Sequence, residues 1–291
     1  MHLPVLVGEV LDLLRPGAGR RFIDATIGLG GHAEALLERL MPTGRLLGTD
    51  RDAEALAVAR ERLARFGDHL ELVHGDFRQL ADHAARLGGE GADGVVLDLG
   101  VSSYQLDTAE RGFSFNLEGP LDMRMDPTAP TTARTLLLRS SAAELERILR
   151  DYGEERYARR IARAIHEHRR DLRTTGDLAS LVERVVPRRE GRLHPATRTF
   201  QSLRIAVNDE LGALDEALST LPRWLAPGGR VAVIAFHSIE DRIVKRAFRE
   251  HAAAGEVAIV TRKPVRPSEA EVAANPRSRS SRLRVAERLA R

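Results

Sequence analysis

Four aspartates stand where short apolar runs end. Asp24 follows Arg21-Phe22-Ile23, Asp50 follows Arg45-Leu46-Leu47-Gly48-Thr49, Asp76 comes just after Leu70-Glu71-Leu72-Val73-His74, and Asp98 follows Gly94-Val95-Val96-Leu97. After the first run comes Asp24-Ala25-Thr26-Ile27-Gly28-Leu29-Gly30-Gly31-His32, with glycines where a chain passing from strand to helix must turn sharply and approach a ligand closely. Such a turn suits a nucleotide-type ligand, and alone it fits a dinucleotide's pyrophosphate equally well. The acidic residues discriminate. Asp50 is placed to bind a ribose diol, while Asp76 and Phe77 offer a polar partner and an apolar face to an adenine. A rim of four carboxylates repels pyrophosphate and suits a sulfonium cation, which favours S-adenosylmethionine over a dinucleotide. Any one of these Asp residues could instead cap the following helix, as Asp52 is expected to do. Four at successive strand ends are hard to explain that way.

Holding four carboxylates on one edge requires strands that all run in the same direction. The N-terminal third meets that need, with strands expected over residues 21–26, 45–50, 70–74 and 94–98 and helices over residues 32–40 and from Asp52 to Arg65. Strands alternating with helices predict an α/β fold with a mostly parallel sheet covered on both faces. After Asp98 no strand-like run appears until Gly229-Arg230-Val231-Ala232-Val233-Ile234-Ala235-Phe236. The intervening stretch reads as helical: Leu145, Ile148 and Leu149 form one apolar stripe, and Leu178, Leu181, Val182 and Val185 follow the i, i+3, i+4, i+7 spacing of another. Residues 116–130, with their Pro and Gly, are expected to link this insertion to the sheet. A helix over residues 201–221 should lead back to the fifth strand, with a helix after Ser238 and final strands near Val257 and Leu283.

The chain has 291 residues and no cysteine, which excludes disulfides and cysteine-ligated zinc. It shows neither a basic start followed by an apolar run nor a stretch long enough to span a bilayer, so a soluble cytoplasmic protein is expected. The net charge is only +3 but is unevenly spread. Residues 151–204 carry 13 Arg against 8 acidic residues, and residues 262–291 carry 9 basic against 3 acidic, whereas residues 1–98 carry 11 basic against 16 acidic. Apart from Lys245 and Lys263 every basic residue is Arg, whose planar fork suits phosphates and base edges. A solvated Arg-rich surface would have the same composition. Aromatic residues make up only 4%, which argues against a broad base-stacking platform.

Several longer motifs accompany the glycine loop: Asp98-Leu99-Gly100-Val101-Ser102-Ser103, Glu110-Arg111-Gly112-Phe113-Ser114-Phe115, Gly119-Pro120-Leu121-Asp122-Met123-Arg124-Met125-Asp126, His194-Pro195-Ala196-Thr197-Arg198-Thr199-Phe200-Gln201 and Phe236-His237-Ser238-Ile239-Glu240-Asp241-Arg242. With them the sequence closely resembles the bacterial 16S ribosomal RNA cytosine-N4-methyltransferases, from His2-Leu3-Pro4-Val5 to Asn275-Pro276-Arg277-Ser278-Arg279-Ser280-Ser281. The resemblance implies a class I S-adenosylmethionine-dependent methyltransferase, Rossmann-like, with an inserted helical domain. Its catalytic domain would comprise residues 1–105 and 206–291, and its substrate-recognition domain residues 106–205. The resemblance also implies methylation of a cytidine in the decoding region of the small subunit, with cofactor contacts at Gly30, Gly31, His32, Asp50, Phe77, Asp98 and Gln105. The chain departs from the family pattern at Tyr104, where Pro is common, and at Ala33, where Ser is common. The region between Arg242 and Lys263 is short for the family.

Methyl transfer from a sulfonium is an in-line displacement with an activated donor, so positioning and charge management suffice and no metal is expected. A cytosine amine shares its lone pair with the ring, and an acceptor that takes one of its hydrogens favours the reactive geometry. Asp98 is the candidate acceptor, with nearby backbone carbonyls as alternatives. Arg198, Arg204, Arg277 and Arg279 are the candidate RNA contacts, in 16S rRNA or the small ribosomal subunit, with a homodimer left open. His194 and His237 lack a compact ligand cluster and read as structural or RNA-contacting rather than metal-binding. The competing readings are an RNA-binding assembly factor, a methyltransferase of proteins or small molecules, and a dinucleotide oxidoreductase.

Overall fold

The computed structural model describes residues 4–187 and 194–290, so His2 and Leu3 of the first motif lie outside the described residues. The chain divides into two compact units, one up to Gly100 and again from Leu211, the other from Val101 to Glu210. The domain ends expected from the sequence, 105/106 and 205/206, each fall five residues from these junctions.

The first unit is built on seven strands: β1 (Arg21–Asp24), β2 (Arg45–Asp50), β3 (Leu70–His74), β4 (Ala92–Asp98), β5 (Leu225–Ala235), β6 (Val257–Ile259) and β7 (Arg282–Arg288). Their order in the sheet is β3-β2-β1-β4-β5-β7-β6. The first five are parallel, and β7 runs antiparallel to both β5 and β6. This is the class I methyltransferase sheet. Side chains alternate between two buried faces, the pattern expected where helices cover both sides. Val95, Leu97, Val231 and Val233 enter one core with Leu80, Leu218, Trp224 and Phe248. Val96, Ala232 and Ile234 enter the other with Val10, Leu14, Leu36, Leu40 and Leu63. Full burial of each such large side chain contributes about 1.5–3 kcal/mol. The consequence for function is rigidity: Asp24, Asp50 and Asp98 each end a strand whose preceding residues are locked in a core.

The second unit packs the helices Ser103–Asp107, Ala133–Arg139, Ala142–Gly153, Ala158–His168, Thr175–Val185 and Thr197–Asn208. The apolar stripes read from the sequence meet in one core, where Leu145 and Leu149 join Ile161, Ile165, Leu178, Val182, Phe200 and Leu203. Capping boxes set the starts of four of these helices, Ser102 with Gln105, Thr132 with Thr135, Ser141 with Glu144 and Thr174 with Asp177. Residues 116–130 are not the linker expected from their composition. Leu121, Met123 and Met125 are buried in this core, and Asn208 clamps the segment by accepting from the Met125 N–H at 2.7 Å and donating to the Met123 carbonyl at 2.7 Å. Alternating apolar residues pack this loop from within, so its Gly and Pro shape it without freeing it.

The helix expected over residues 201–221 is instead broken into Thr197–Asn208, Glu210–Ser219 and Leu221–Trp224. Asp209, with φ 48° and ψ 43°, is left-handed, which ends the first of these. A bidentate pair spans the break: Arg204 Nε and Nη2 each donate at 2.8 Å to the two carboxylate oxygens of Glu210. Arg204→Ala leaves Glu210, 8% exposed, without this partner, and is expected to cost about 3–5 kcal/mol. Urea denaturation checks this, and a change below about 0.5 kcal/mol, as for an exposed pair, would contradict it.

Candidate functional site

The loop after β1 is shaped by hydrogen bonds to neighbouring strand ends. Ala25 N–H donates to the Val96 carbonyl at 2.9 Å and Ile27 N–H to the Thr49 carbonyl at 3.0 Å. Thr26 Oγ1 accepts from the Asp98 N–H at 2.6 Å. Gly28 and Gly30 have φ of 50° and 82°, values an L side chain rarely adopts. A Cβ on Gly30 would also come within 3.0 Å of Leu63 Cδ1. Gly30 is the residue before the helix Gly31–Leu40. Gly31 and His32 therefore stand in its first turn, whose N–H groups have no acceptors within the helix and whose dipole favours a negative group. The glycine turn can thus hold a ligand's carboxylate through backbone donors.

Asp50 faces this loop from β2. Its Oδ2 accepts from the Gly28 N–H at 2.8 Å and its Oδ1 from the Asp52 N–H at 3.0 Å. Burial pushes its pKa up, opposed by those two N–H groups. The carboxylate is held at a fixed place with lone pairs remaining, as a ribose acceptor must be. Phe77 packs its ring against the apolar core on one face of the sheet and is only partly buried.

Asp98 ends β4, and its Oδ1 is buried with no hydrogen-bond partner among the described residues. Burial, then the negative charge of Glu240, push its pKa up to about 7. Asp24, 1% exposed, is likewise raised to about 7 by burial, against the opposing pull of His32. The His32 ring is buried, and its Nε2 lies 2.9 Å from the Val5 carbonyl, which can only accept. The proton therefore sits on Nε2, and Nδ1 turns its lone pair to Asp98 Oδ2 at 3.6 Å. Burial lowers the His32 pKa, and the negative charge of Asp24 works against that shift.

Asp76 differs from the other three. Arg51 pairs with its carboxylate, Arg78 Nη1 lies 3.2 Å from the same oxygen, and the Arg78 N–H bonds the other oxygen at 2.9 Å. The acidic rim expected from the sequence is thus three carboxylates rather than four, and two of these titrate near neutrality. A cation binding there favours their ionised forms and must compete with protons below the pKa. The dissociation constant of S-adenosylmethionine is therefore expected to fall as pH rises from about 6 to about 8. Calorimetry across that range provides the check, and a flat profile would contradict it.

The remaining predicted residues are placed differently. Gln105 belongs to the second unit, where its side-chain oxygen accepts from the Ser102 N–H at 3.1 Å in a capping box. Arg198 Nη1 donates to the Glu154 carbonyl at 2.6 Å, and Arg204 is held by Glu210. Arg277 and Arg279 are exposed on the short turn Pro276–Ser280. His194 stacks on Phe115 with ring centroids 4.5 Å apart and pairs with Glu183 at 2.7 Å. His237 caps the helix Ser238–Ala253.

Sequence reasoning missed Glu240 as a site residue. It is 2% exposed, and its Oε2 accepts from the N–H groups of Phe236 at 2.8 Å and His237 at 3.2 Å. The acid three residues after the helix-capping position signals the cap. Its influence on Asp98 follows only from strand adjacency, since Asp98 pairs with Ile234 on β5.

A family model described as the MraW methylase family matches residues 1–289. The ribosomal RNA small subunit methyltransferase H of Heliobacterium modesticaldum is 49% identical to this chain, over 99% of the chain and 98% of its own length. The protein of the same name from Symbiobacterium thermophilum is 50% identical, over 99% and 96% respectively. That from Geobacter sp. (strain M21) is also 50% identical, over 99% and 98%.

Proposed function

The chain belongs to the MraW methylase family and is a methyltransferase, and from that premise we propose that it methylates the exocyclic N4 amine of a cytidine in the decoding region of 16S rRNA, in the cytoplasm, using S-adenosylmethionine. The observation that carries this reading is Asp98 Oδ1, a buried acceptor without a partner at the carboxyl end of β4. Buried polar atoms are nearly always hydrogen-bonded, and the exceptions mark places where something else supplies the bond. An amine hydrogen fits that need.

The residues present suit the cofactor. Gly30, Gly31 and His32 offer backbone donors to its carboxylate, Asp50 takes its ribose hydroxyls, Phe77 supports the adenine, and Asp24 and Asp98 stabilise its positive charge. When bound, it supplies a methyl group already activated on sulfur. Asp98 accepts one N4 hydrogen, which turns the amine's lone pair toward that methyl and offsets the positive charge that develops on nitrogen. Asp98, whose pKa of about 7 suits it to take a proton and release it, would receive the proton that the amine gives up as it gains the methyl group from sulfur. The charge of Glu240 raises the proton affinity of Asp98.

Substrate recognition falls to the inserted unit and to the basic C-terminal segment. Arg198, Arg277 and Arg279 are assigned to RNA phosphates. Arg204 is reassigned to holding the turn at Asp209, because both edges of its fork used here are taken by Glu210. Mass-spectrometric mapping of 16S rRNA from cells with and without the protein tests the proposal. Loss of one N4-methylated cytidine supports it, and unchanged methylation refutes it.

A further inference from the structure

Several Arg residues of the first unit have acidic partners. Arg78 meets Glu216 at 3.0 Å, Arg230 meets Glu287 at 2.7 Å and Arg284 meets Asp241 at 2.6 Å. The helix Ala158–His168 of the second unit is different. Arg159, Arg160 and Arg163 are all exposed. At 100° per residue they lie on one face, opposite Ile161, Ala162 and Ile165, which are buried in that unit's core. Arg156 just before the helix and Arg170 just after it are exposed as well. Arg159, Arg160 and Arg170 have no hydrogen-bond or ion-pair partner among the described residues. Within the helix one acid, Glu167, stands beside them and pairs with Arg163 at 2.8 Å, and Glu154 and Asp171 are exposed at its two flanks.

This arrangement opposes folding. Like charges at i, i+3 and i, i+4 repel across a helix face by roughly 0.2–0.5 kcal/mol per pair, and both Arg160/Arg163 and Arg159/Arg163 have that spacing. The apolar face already anchors the helix, so the cations contribute nothing to packing. A membrane surface is a poor match, because a helix lying in the interface must present an apolar face to lipid, and here that face is covered. A polyanion with repeated phosphates matches the row, since each guanidinium can fork onto a phosphate.

We infer that the outward face of the helix Ala158–His168 docks the ribose-phosphate backbone of the RNA substrate through Arg159, Arg160 and Arg163, with Arg156 and Arg170 extending the row. The contact is independent of base identity: it sets register and affinity and leaves base choice to the catalytic cleft. The inference rests on the reading of the chain as an rRNA methyltransferase.

Filter binding of the full chain across a salt series, with protein-free 16S rRNA in one arm and assembled small subunits in the other, tests it. The triple variant Arg159→Glu, Arg160→Glu, Arg163→Glu is expected to bind protein-free rRNA at least about tenfold more weakly, with a salt slope shallower by about two to three. The triple Arg→Lys variant keeps the slope, because the charges remain. Melting temperature and cofactor affinity by calorimetry establish that the fold is intact, and a triple Arg→Gln variant replaces the Glu variant if the latter does not fold. Unchanged affinity and slope in both arms overturn the inference. So does a loss confined to assembled subunits, which assigns the face to an acidic protein surface. If the wild-type chain methylates neither probe, the functional reading itself has failed; if it methylates them and the slope is unchanged, only the docking face has.

Discussion

Asp98→Ala is expected to lower the single-turnover rate of methyl transfer by about 10²- to 10⁴-fold, the range for loss of a positioned proton acceptor. In the proposed role the carboxylate does two things that Ala cannot: it accepts an amine hydrogen before transfer and takes the proton afterwards. Asp98→Asn separates them, because the amide oxygen still accepts a hydrogen bond while the amide cannot take the proton. The Asn variant is therefore expected between wild type and Ala. In the wild type Asp98 must be ionised to take the proton, so kcat/KM for the cofactor rises with pH through about 7, where burial and Glu240 have placed the pKa of the free protein. A purely structural Asp98 would behave otherwise. A carboxyl whose folded pKa is raised contributes stability below its unfolded value of 3.8 and loses it as pH rises through about 7. Asp98→Asn should thus melt higher than wild type at pH 8, while being slower. Wild-type single-turnover rates in the Ala variant, with the fold intact, would sink the assignment.

Asp50→Ala is expected to raise the dissociation constant of S-adenosylmethionine about 100-fold, or about 2.7 kcal/mol, and to affect kcat at saturating cofactor far less. Two losses combine. The ribose acceptor disappears, and the N–H groups of Gly28 and Asp52 lose the oxygens that hold them at 2.8 and 3.0 Å. The first relaxes the glycine turn, the second the start of the helix Ala53–Leu63, which Asp52 caps through the N–H groups of Glu54 and Ala55. Asp50→Asn keeps one acceptor oxygen and should lose less affinity. Calorimetric titration decides, and unchanged affinity in the Ala variant counts against the ribose role.

Both predictions start from residues visible as letters, but their chemistry was not equally visible. Asp24, Asp50 and Asp98 could be picked out because each ends an apolar run, and a parallel sheet brings all such ends to one edge. Asp76 matched the same pattern, yet Arg51 and Arg78 neutralise it. Arg78 stands two residues away, but the Arg51 pairing has no signature in spacing, since that partner comes from the loop after a different strand. Arg204 looked like an RNA contact because cations in basic segments do, and the buried carboxylate of Glu210 claims it instead.

The sequence by itself determined the α/β class, the parallel edge, the existence of a helical insertion and the identity of the glycine turn. Those follow from periodicity and from φ preferences, which are properties of neighbouring residues. Only the tertiary structure decided that residues 116–130 pack as core, that Glu240 stands behind Asp98, and that two rim carboxyls titrate near pH 7. Burial and charge coupling act through space between residues far apart in the chain, and a carboxylate's proton affinity depends on what surrounds it.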